Sequence, residues 1–295
     1  MKISALVDAR KLSEYIRHRL NSDGGYTFAR KLYGLEFPSS ISETYYALAV
    51  LSMLGEEIPS KSKTLEYVKG IRKDDGRYGP STTAFHAIKA LLLLGEKPPA
   101  DAALVAELQE TIRQRRALFE EFDSVWFSAD YDAGDSPFRS AFCAARVLKI
   151  VGGKMEKPDF VWMIHKEHEG GGFGIHKPDV ASTYYVLSAL ASAGYDLKDY
   201  QKTSGFVERC SVHTGGYSQV ERGAPAFVES TYFAVAALAL LGKEPKEKEK
   251  HLHYLAGLQA DGGFRRSTEI GISTLTNSYF AVKAISMLLN GGKNG

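Results

Sequence analysis

Arg139 opens an otherwise apolar segment. Its guanidinium is a planar fork that suits a carboxylate or a diphosphate. Two carboxylates, Glu43 and Glu229, stand in the first turns of other apolar segments, and Asp179 follows Pro178 at the start of a third. Facing a cavity, such a carboxylate has its pKa raised by desolvation and can act as a general acid or stabilise a cation. At a helix start the same residue complements the N-terminal dipole, which is the structural alternative. The run Asp130-Tyr131-Asp132-Ala133-Gly134-Asp135 gathers further carboxylates, with Asp132 and Asp135 as its candidate acids. It could raise one pKa, bind Mg²⁺, or be a solvated loop. His176, Lys177 and Arg222 precede apolar segments and together could form a basic rim. His165 and His168 have a spacing that can hold metal, but no third ligand is evident. Cys143 lies in an apolar stretch and reads as a small buried hydrophobe.

These residues are carried by a block that occurs six times. Each copy has a polar helical stretch, usually a Gly-Gly-aromatic turn, and then a nearly all-apolar helix. The turns include Gly24-Gly25-Tyr26, Gly171-Gly172-Phe173, Gly215-Gly216-Tyr217 and Gly262-Gly263-Phe264, while the third copy has Trp126-Phe127 instead. The polar stretches, such as Lys11-Leu12-Ser13-Glu14-Tyr15-Ile16-Arg17, are amphipathic at helical spacing. The second helices, such as Phe233-Ala234-Val235-Ala236-Ala237-Leu238, are apolar all round and must be buried on every side. An open solenoid needs polar capping repeats, and here the first and last copies look like the middle ones. The expected fold is therefore all-α: a closed (α/α)6 barrel, or toroid, of six inner and six outer helices in one domain. An open right-handed solenoid is the competing arrangement. The repeats span about 10–57, 58–98, 100–153, 155–197, 199–245 and 247–290.

In a closed ring the first turns of the inner helices converge on one mouth. Aligned blocks give a column that is aromatic in every copy: Tyr45, Phe85, Phe142, Tyr184, Tyr232 and Tyr279. The adjacent column is Tyr46, His86, Cys143, Tyr185, Phe233 and Phe280. Neighbours on a helix differ by about 100° in direction, so one column is expected to line a funnel and the other to pack on the outer ring. Such a funnel suits a long apolar or carbocationic ligand, although aromatic stripes also serve simply as core.

Bulk properties narrow the class. With 44% hydrophobic and 24% charged residues, the chain has the profile of an ordinary globular protein. Net charge is +2 without a basic block, which points away from nucleic acid. No apolar run reaches the roughly 18 residues of a spanning helix, and the N-terminus turns polar too soon for a secretory signal. Two cysteines make no disulfide framework, so the expected setting is cytoplasmic and reducing.

The block pattern resembles the protein prenyltransferase β-subunits and, more loosely, the squalene and terpene cyclases, over nearly the whole chain. Arg139-Ser140-Ala141-Phe142-Cys143-Ala144-Ala145 resembles a segment of farnesyltransferase β-subunits, and Pro178-Asp179-Val180-Ala181 one of the geranylgeranyltransferases. The resemblance implies a barrel holding an isoprenoid diphosphate, a zinc ion on Asp, Cys and His, and a helical-repeat α-subunit partner. The ligand set departs from that pattern. Local similarity keeps Asp179 but places Ala181 and Ser230 at the other two positions. Repeat order, counted from Arg139, places Phe227, Glu229 and Asn277 at the three ligand positions. Neither register leaves a thiolate or an imidazole, and at most one or two weak ligands remain where catalytic zinc needs about three, so zinc-dependent thiol prenylation is not expected. The cyclase acid run Asp-x-Asp-Asp is also absent.

Two functions are expected from these residues. In the first, an isoprenoid diphosphate lies in the aromatic cavity. Arg139, His176, Lys177 and Arg222 hold its head, the aromatic column and Tyr185 hold its tail, and Glu229, Asp179, Asp132 and Asp135 are the acids. Prenyl transfer or terpene cyclisation would then proceed without zinc. In the second, the barrel is a non-catalytic binding or interaction module. A sugar-processing barrel with paired carboxylates is a third and weaker fit.

Overall fold

A computed structural model describes residues 3–29, 37–121 and 136–291. The candidate acids Asp132 and Asp135 lie outside the described residues. Among these residues the chain forms twelve α-helices: α1 Ala9–Arg17, α2 Ile41–Leu54, α3 Lys61–Lys69, α4 Ser81–Leu93, α5 Ala102–Glu121, α6 Pro137–Val151, α7 Val161–Ile164, α8 Val180–Ser192, α9 Gln201–Arg209, α10 Val228–Leu240, α11 Lys248–Gly257 and α12 Leu275–Leu289. None is long and apolar enough to cross a membrane.

The even-numbered helices are the apolar ones, and they pack in sequence: α2 on α4, α4 on α6, α6 on α8, α8 on α10 and α10 on α12. The last, α12, packs on α2, so the ring of contacts has no end. Odd-numbered helices lie outside, with α3 on α4, α5 on α6, α9 on α10 and α11 on α12. Each inner helix thus meets two inner neighbours and the outer layer, which is why it carries apolar side chains on every face.

The Gly-Gly-aromatic turn has a physical task. Tyr26, Phe173, Tyr217 and Phe264 are completely buried. Each forms antiparallel bridges both to the end of the preceding outer helix and to the residue before the next inner helix, as in Leu20–Tyr26–Ser40 and Ser211–Tyr217–Phe227. Their backbone N–H groups donate to a hydroxyl in the first turn of that inner helix: Thr44 at 3.0 Å, Thr183 at 2.9 Å, Thr231 at 2.9 Å and Ser278 at 3.1 Å. Each hydroxyl in turn donates one turn back, to the carbonyl of Ser40, Asp179, Phe227 or Thr274. The Thr or Ser before each aromatic pair is therefore a clasp that satisfies an otherwise orphaned buried amide. Glycine is needed at the turn because the backbone passes too close for a Cβ. At Gly24, with φ +87°, a Cβ would sit 2.4 Å from the Lys63 carbonyl carbon.

Candidate functional site

All six residues of the aromatic column meet on the barrel axis. Ring centroids of successive residues, Tyr45–Phe85–Phe142–Tyr184–Tyr232–Tyr279 and back to Tyr45, lie 5.4 to 6.0 Å apart, which closes a ring of six aromatics. The Tyr45 hydroxyl donates to Tyr279 at 3.0 Å, and Tyr184 and Tyr232 share a hydrogen bond at 3.3 Å. Burial pushes all four phenols above their usual range, so they stay neutral donors.

The second column does not pack on the outer layer, contrary to the sequence-based expectation. Tyr46–His86, Tyr185–Phe233, Phe233–Phe280 and Phe280–Tyr46 are 5.2 to 6.0 Å apart and form a second layer against the first. Tyr46 and Tyr185 interact electrostatically, although α2 and α8 are not ring neighbours. Consecutive residues of one inner helix can thus both contact the same two flanking inner helices: Tyr184 and Tyr185 each lie 5.2 to 5.4 Å from Phe142 on α6 and Phe233 on α10, and Tyr184 also meets Tyr232. The two layers plug the lumen toward the N-terminal ends of the inner helices.

Arg139 lies beside that second layer, hydrogen-bonded to Tyr46 and close to Tyr185 and Cys143. Burial and the Arg139 charge push His86 down to about 3, so it is a neutral ring at ordinary pH. Burial raises the Cys143 thiol to about 12, which leaves it without thiolate character.

The acids of the N-terminal mouth are engaged. Glu229 accepts from Arg266 Nε at 2.6 Å, and Glu43 accepts from the Thr276 hydroxyl at 3.0 Å. Burial pushes Glu43 above the usual carboxylate range, partly offset by Thr276 and Arg19. Asp179 is the N-cap of α8. Its two oxygens accept from Ser182 N at 2.8 Å and Ser182 Oγ at 2.6 Å. Burial pushes its carboxyl up, and the Ser182 bonds partly offset this. His176, Lys177 and Arg222 are exposed, and Arg222 pairs with its neighbour Glu221 at 3.8 Å. The structure brings the aromatic column and Arg139 together around the lumen. It does not join His176, Lys177 and Arg222 to them.

Zinc does not fit the positions that the resemblance points to. Both Asp179 oxygens are already occupied, Ala181 has no donor atom, and Ser230 offers only a hydroxyl. Among the described residues, no three His, Cys, Asp or Glu side chains gather as a metal site requires.

On the other side of the aromatic plug, toward the C-terminal ends of the inner helices, the lumen opens into a cavity of about 490 Å³. Its floor is the first aromatic ring. One turn further, about 6 Å along each helix axis, come Ala49, Lys89, Arg146, Ser188, Ala236 and Lys283. Near the mouth lie Met53, Leu93, Leu240 and Met287, with Lys149 at the edge. Among the described residues, no carboxylate lines the cavity.

This cationic layer was missed by sequence reasoning, although a signal existed. In three blocks a Lys or Arg stands four residues after the aromatic column, inside helices that are otherwise apolar all round: Phe85 to Lys89, Phe142 to Arg146 and Tyr279 to Lys283. Four residues is one helical turn, so those charges share the face of the aromatic ring.

The sequence profile of the prenyltransferase alpha-alpha toroid domain matches residues 4–177, 153–225 and 179–293. No curated protein matches the sequence. Among solved structures, the chain is similar to protein geranylgeranyltransferase-I of Candida albicans complexed with GGPP. The TM-score is 0.66 at 12% identity, covering 96% of this chain and 92% of that one. It is also similar to the type II terpene cyclase MstE of Scytonema in complex with geranylgeranyl dihydroxybenzoate. There the TM-score is 0.60 at 14% identity, with 98% and 97% covered. A protein from Actinoplanes gives a TM-score of 0.57 at 14% identity, with 99% of each chain covered. At such identities these likenesses carry the fold.

Proposed function

Since the chain belongs to the prenyltransferase alpha-alpha toroid domain family, we propose that it binds an isoprenoid diphosphate in the lumen of its barrel without a zinc ion. The observation that carries this reading is the layered cavity. An aromatic floor bearing tyrosine hydroxyls, a belt of cations and an apolar collar together match a molecule with an anionic head and an apolar chain. Two structural relatives have GGPP and a geranylgeranyl compound in their complexes, which supports the same ligand class here.

A second reading, a binding module without catalysis, is favoured by the acids. Protonation-initiated cyclisation needs a carboxylic acid at the ligand, and the cavity lining contains none among the described residues. The carboxylates Glu229 and Asp179 are bound to Arg266 and Ser182.

The test is calorimetric titration of farnesyl and geranylgeranyl diphosphate, with chelator and then with added Zn²⁺ or Mg²⁺, followed by mass spectrometry of the incubated lipid. The reading expects micromolar, metal-independent binding. An unchanged lipid would assign the barrel to carriage, and a dephosphorylated or cyclised lipid would assign it to catalysis. No heat with either lipid under any condition would overturn the reading.

A further inference from the structure

We infer that the cationic belt of the lumen is a metal-free subsite for a phosphoryl anion, built by Lys89 and Arg146 with Lys283, and that an amphiphile enters this barrel head first. The choice of a phosphoryl head rests on the isoprenoid diphosphate reading above. The existence of an anion site rests on the side chains themselves.

Half-buried cations facing one space need a counter-charge. Among the described residues, Lys89 and Arg146 have no hydrogen-bond or ion-pair partner and no acid lines the cavity they share. The three cations feel one another. Burial, and then Arg146 and Lys283, push Lys89 below the usual lysine range, and burial followed by Arg146 does the same to Lys283. A packing role would be met at lower electrostatic cost by Leu or Met. The helix dipole does not explain the charges either, because its favourable zone is the last turn. Neither α4 nor α12 has a basic residue in its last turn, and on α6 that residue is Lys149, not Arg146.

The rest of the layer makes room for a ligand and offers it donors. Where three inner helices carry a cation, the other three carry Ala49, Ser188 and Ala236, so a phosphate-sized space remains among long side chains. Below lie the hydroxyls of Tyr45, Tyr279, Tyr232 and Tyr184, hydrogen-bonded as two pairs, Tyr45 with Tyr279 and Tyr184 with Tyr232. One hydrogen bond within a pair uses one of its two O–H protons, and the other can point at an anion seated above. Arg146 can grip two oxygens at once, while the lysines act as point charges. The cations sit about 6 Å above the floor and the Met53, Leu93, Leu240 and Met287 collar about 12 Å above it, in the turn nearer the mouth. That order puts the head at the bottom and the chain toward the C-terminal opening. Chain length is then not measured by the floor.

The decisive experiment is calorimetry of inorganic diphosphate alone in chelator-treated buffer, on the full chain and on Lys89→Met and Arg146→Met, with farnesyl and geranylgeranyl diphosphate as competitors. We expect inorganic diphosphate to bind, and each variant to weaken it about tenfold or more, the loss typical of a charge-assisted contact. We also expect each variant to melt higher than the wild type without ligand, because a like-charge repulsion has been removed. A purely structural lysine would not give that result. On the wild type alone, farnesyl and geranylgeranyl diphosphate should bind within about threefold of each other beyond the collar's share of apolar contact.

If inorganic diphosphate neither binds nor competes while prenyl diphosphates bind equally to both variants, the subsite is overturned and the isoprenoid reading stands. If inorganic diphosphate binds and is lost in the variants while prenyl diphosphates neither bind nor compete, the subsite stands and the isoprenoid reading fails. A steep cutoff with chain length would overturn the head-first orientation.

Discussion

The two ends of the barrel solve opposite electrostatic problems. At the N-terminal mouth, Glu229 meets Arg266, Glu43 meets Thr276, and Asp179 caps α8 through Ser182. Negative side chains there sit on helix N-termini, where the backbone dipole favours them. Across the aromatic plug the lumen holds Lys89, Arg146 and Lys283 and, among the described residues, no acid. At the first end each carboxylate has a partner within the fold, although Oε2 of Glu43 and of Glu229 is buried without a hydrogen bond; at the second, Lys89 and Arg146 have no hydrogen-bond or ion-pair partner among the described residues. Cations placed mid-helix without such a partner, and not the number of charges, are what point to function here.

Four substitutions test that contrast, starting with the largest effect. Arg146→Glu both removes the fork and places a repelling charge in the belt. Its diphosphate affinity should fall about a hundredfold or more in calorimetry. If affinity holds, the two ends do not differ as described.

Next, Asp179→Ala should cost about 1–2 kcal/mol in urea denaturation, the range for a lost N-cap. It should leave diphosphate affinity unchanged, because Asp179 belongs to the balanced end. A loss of binding with intact stability would restore it as a site residue.

Glu43→Gln sharpens the pH behaviour of the same end. Burial raises the Glu43 carboxyl, so the folded protein holds that proton more tightly than the unfolded chain does. Its charged form therefore lowers stability progressively as pH rises from the unfolded value of about 4.3 through the raised folded value. The variant should gain stability over the wild type at pH 7 and lose that advantage near pH 4. A constant difference at both pH values would contradict a buried, raised carboxyl.

The smallest effect is expected of Arg222→Ala. Its side chain is 90% exposed. Stability should change by no more than about 0.5 kcal/mol, and binding should not change. A clear loss of lipid binding would bring the exposed basic residues back into the site.

Much of the architecture was legible in the chain because repeats state the same local rule six times. The all-apolar helices could only be inner ones, and uniform end copies argued for closure, which the α12–α2 contact shows. The aromatic column was legible for the same reason. Its neighbour was misjudged because helical geometry gives directions relative to one axis, whereas large rings on adjacent inner helices reach each other from both columns, as Tyr184 and Tyr185 both reach Phe142 and Phe233. The Thr44, Thr183 and Thr231 clasp was hidden because its partners are backbone amides, which carry no sequence signature.

The site was less legible than the fold. Charges at helix starts stand where the resemblance places its ligands, but caps occur at the same positions, as with Asp179. Lys89, Arg146 and Lys283 sit mid-helix, and a single such residue reads as an exposed surface charge. Only the block alignment shows that all three stand one turn beyond the aromatic ring.

The most direct test of the account is a crystal structure of the full chain grown with geranylgeranyl diphosphate in metal-free buffer. The account predicts both phosphates in the C-terminal cavity, within hydrogen-bonding distance of Lys89 and Arg146, with the chain leaving past Met53 and Met287. Phosphates at the opposite mouth beside Arg139, with the chain threaded between displaced aromatic layers, would contradict it.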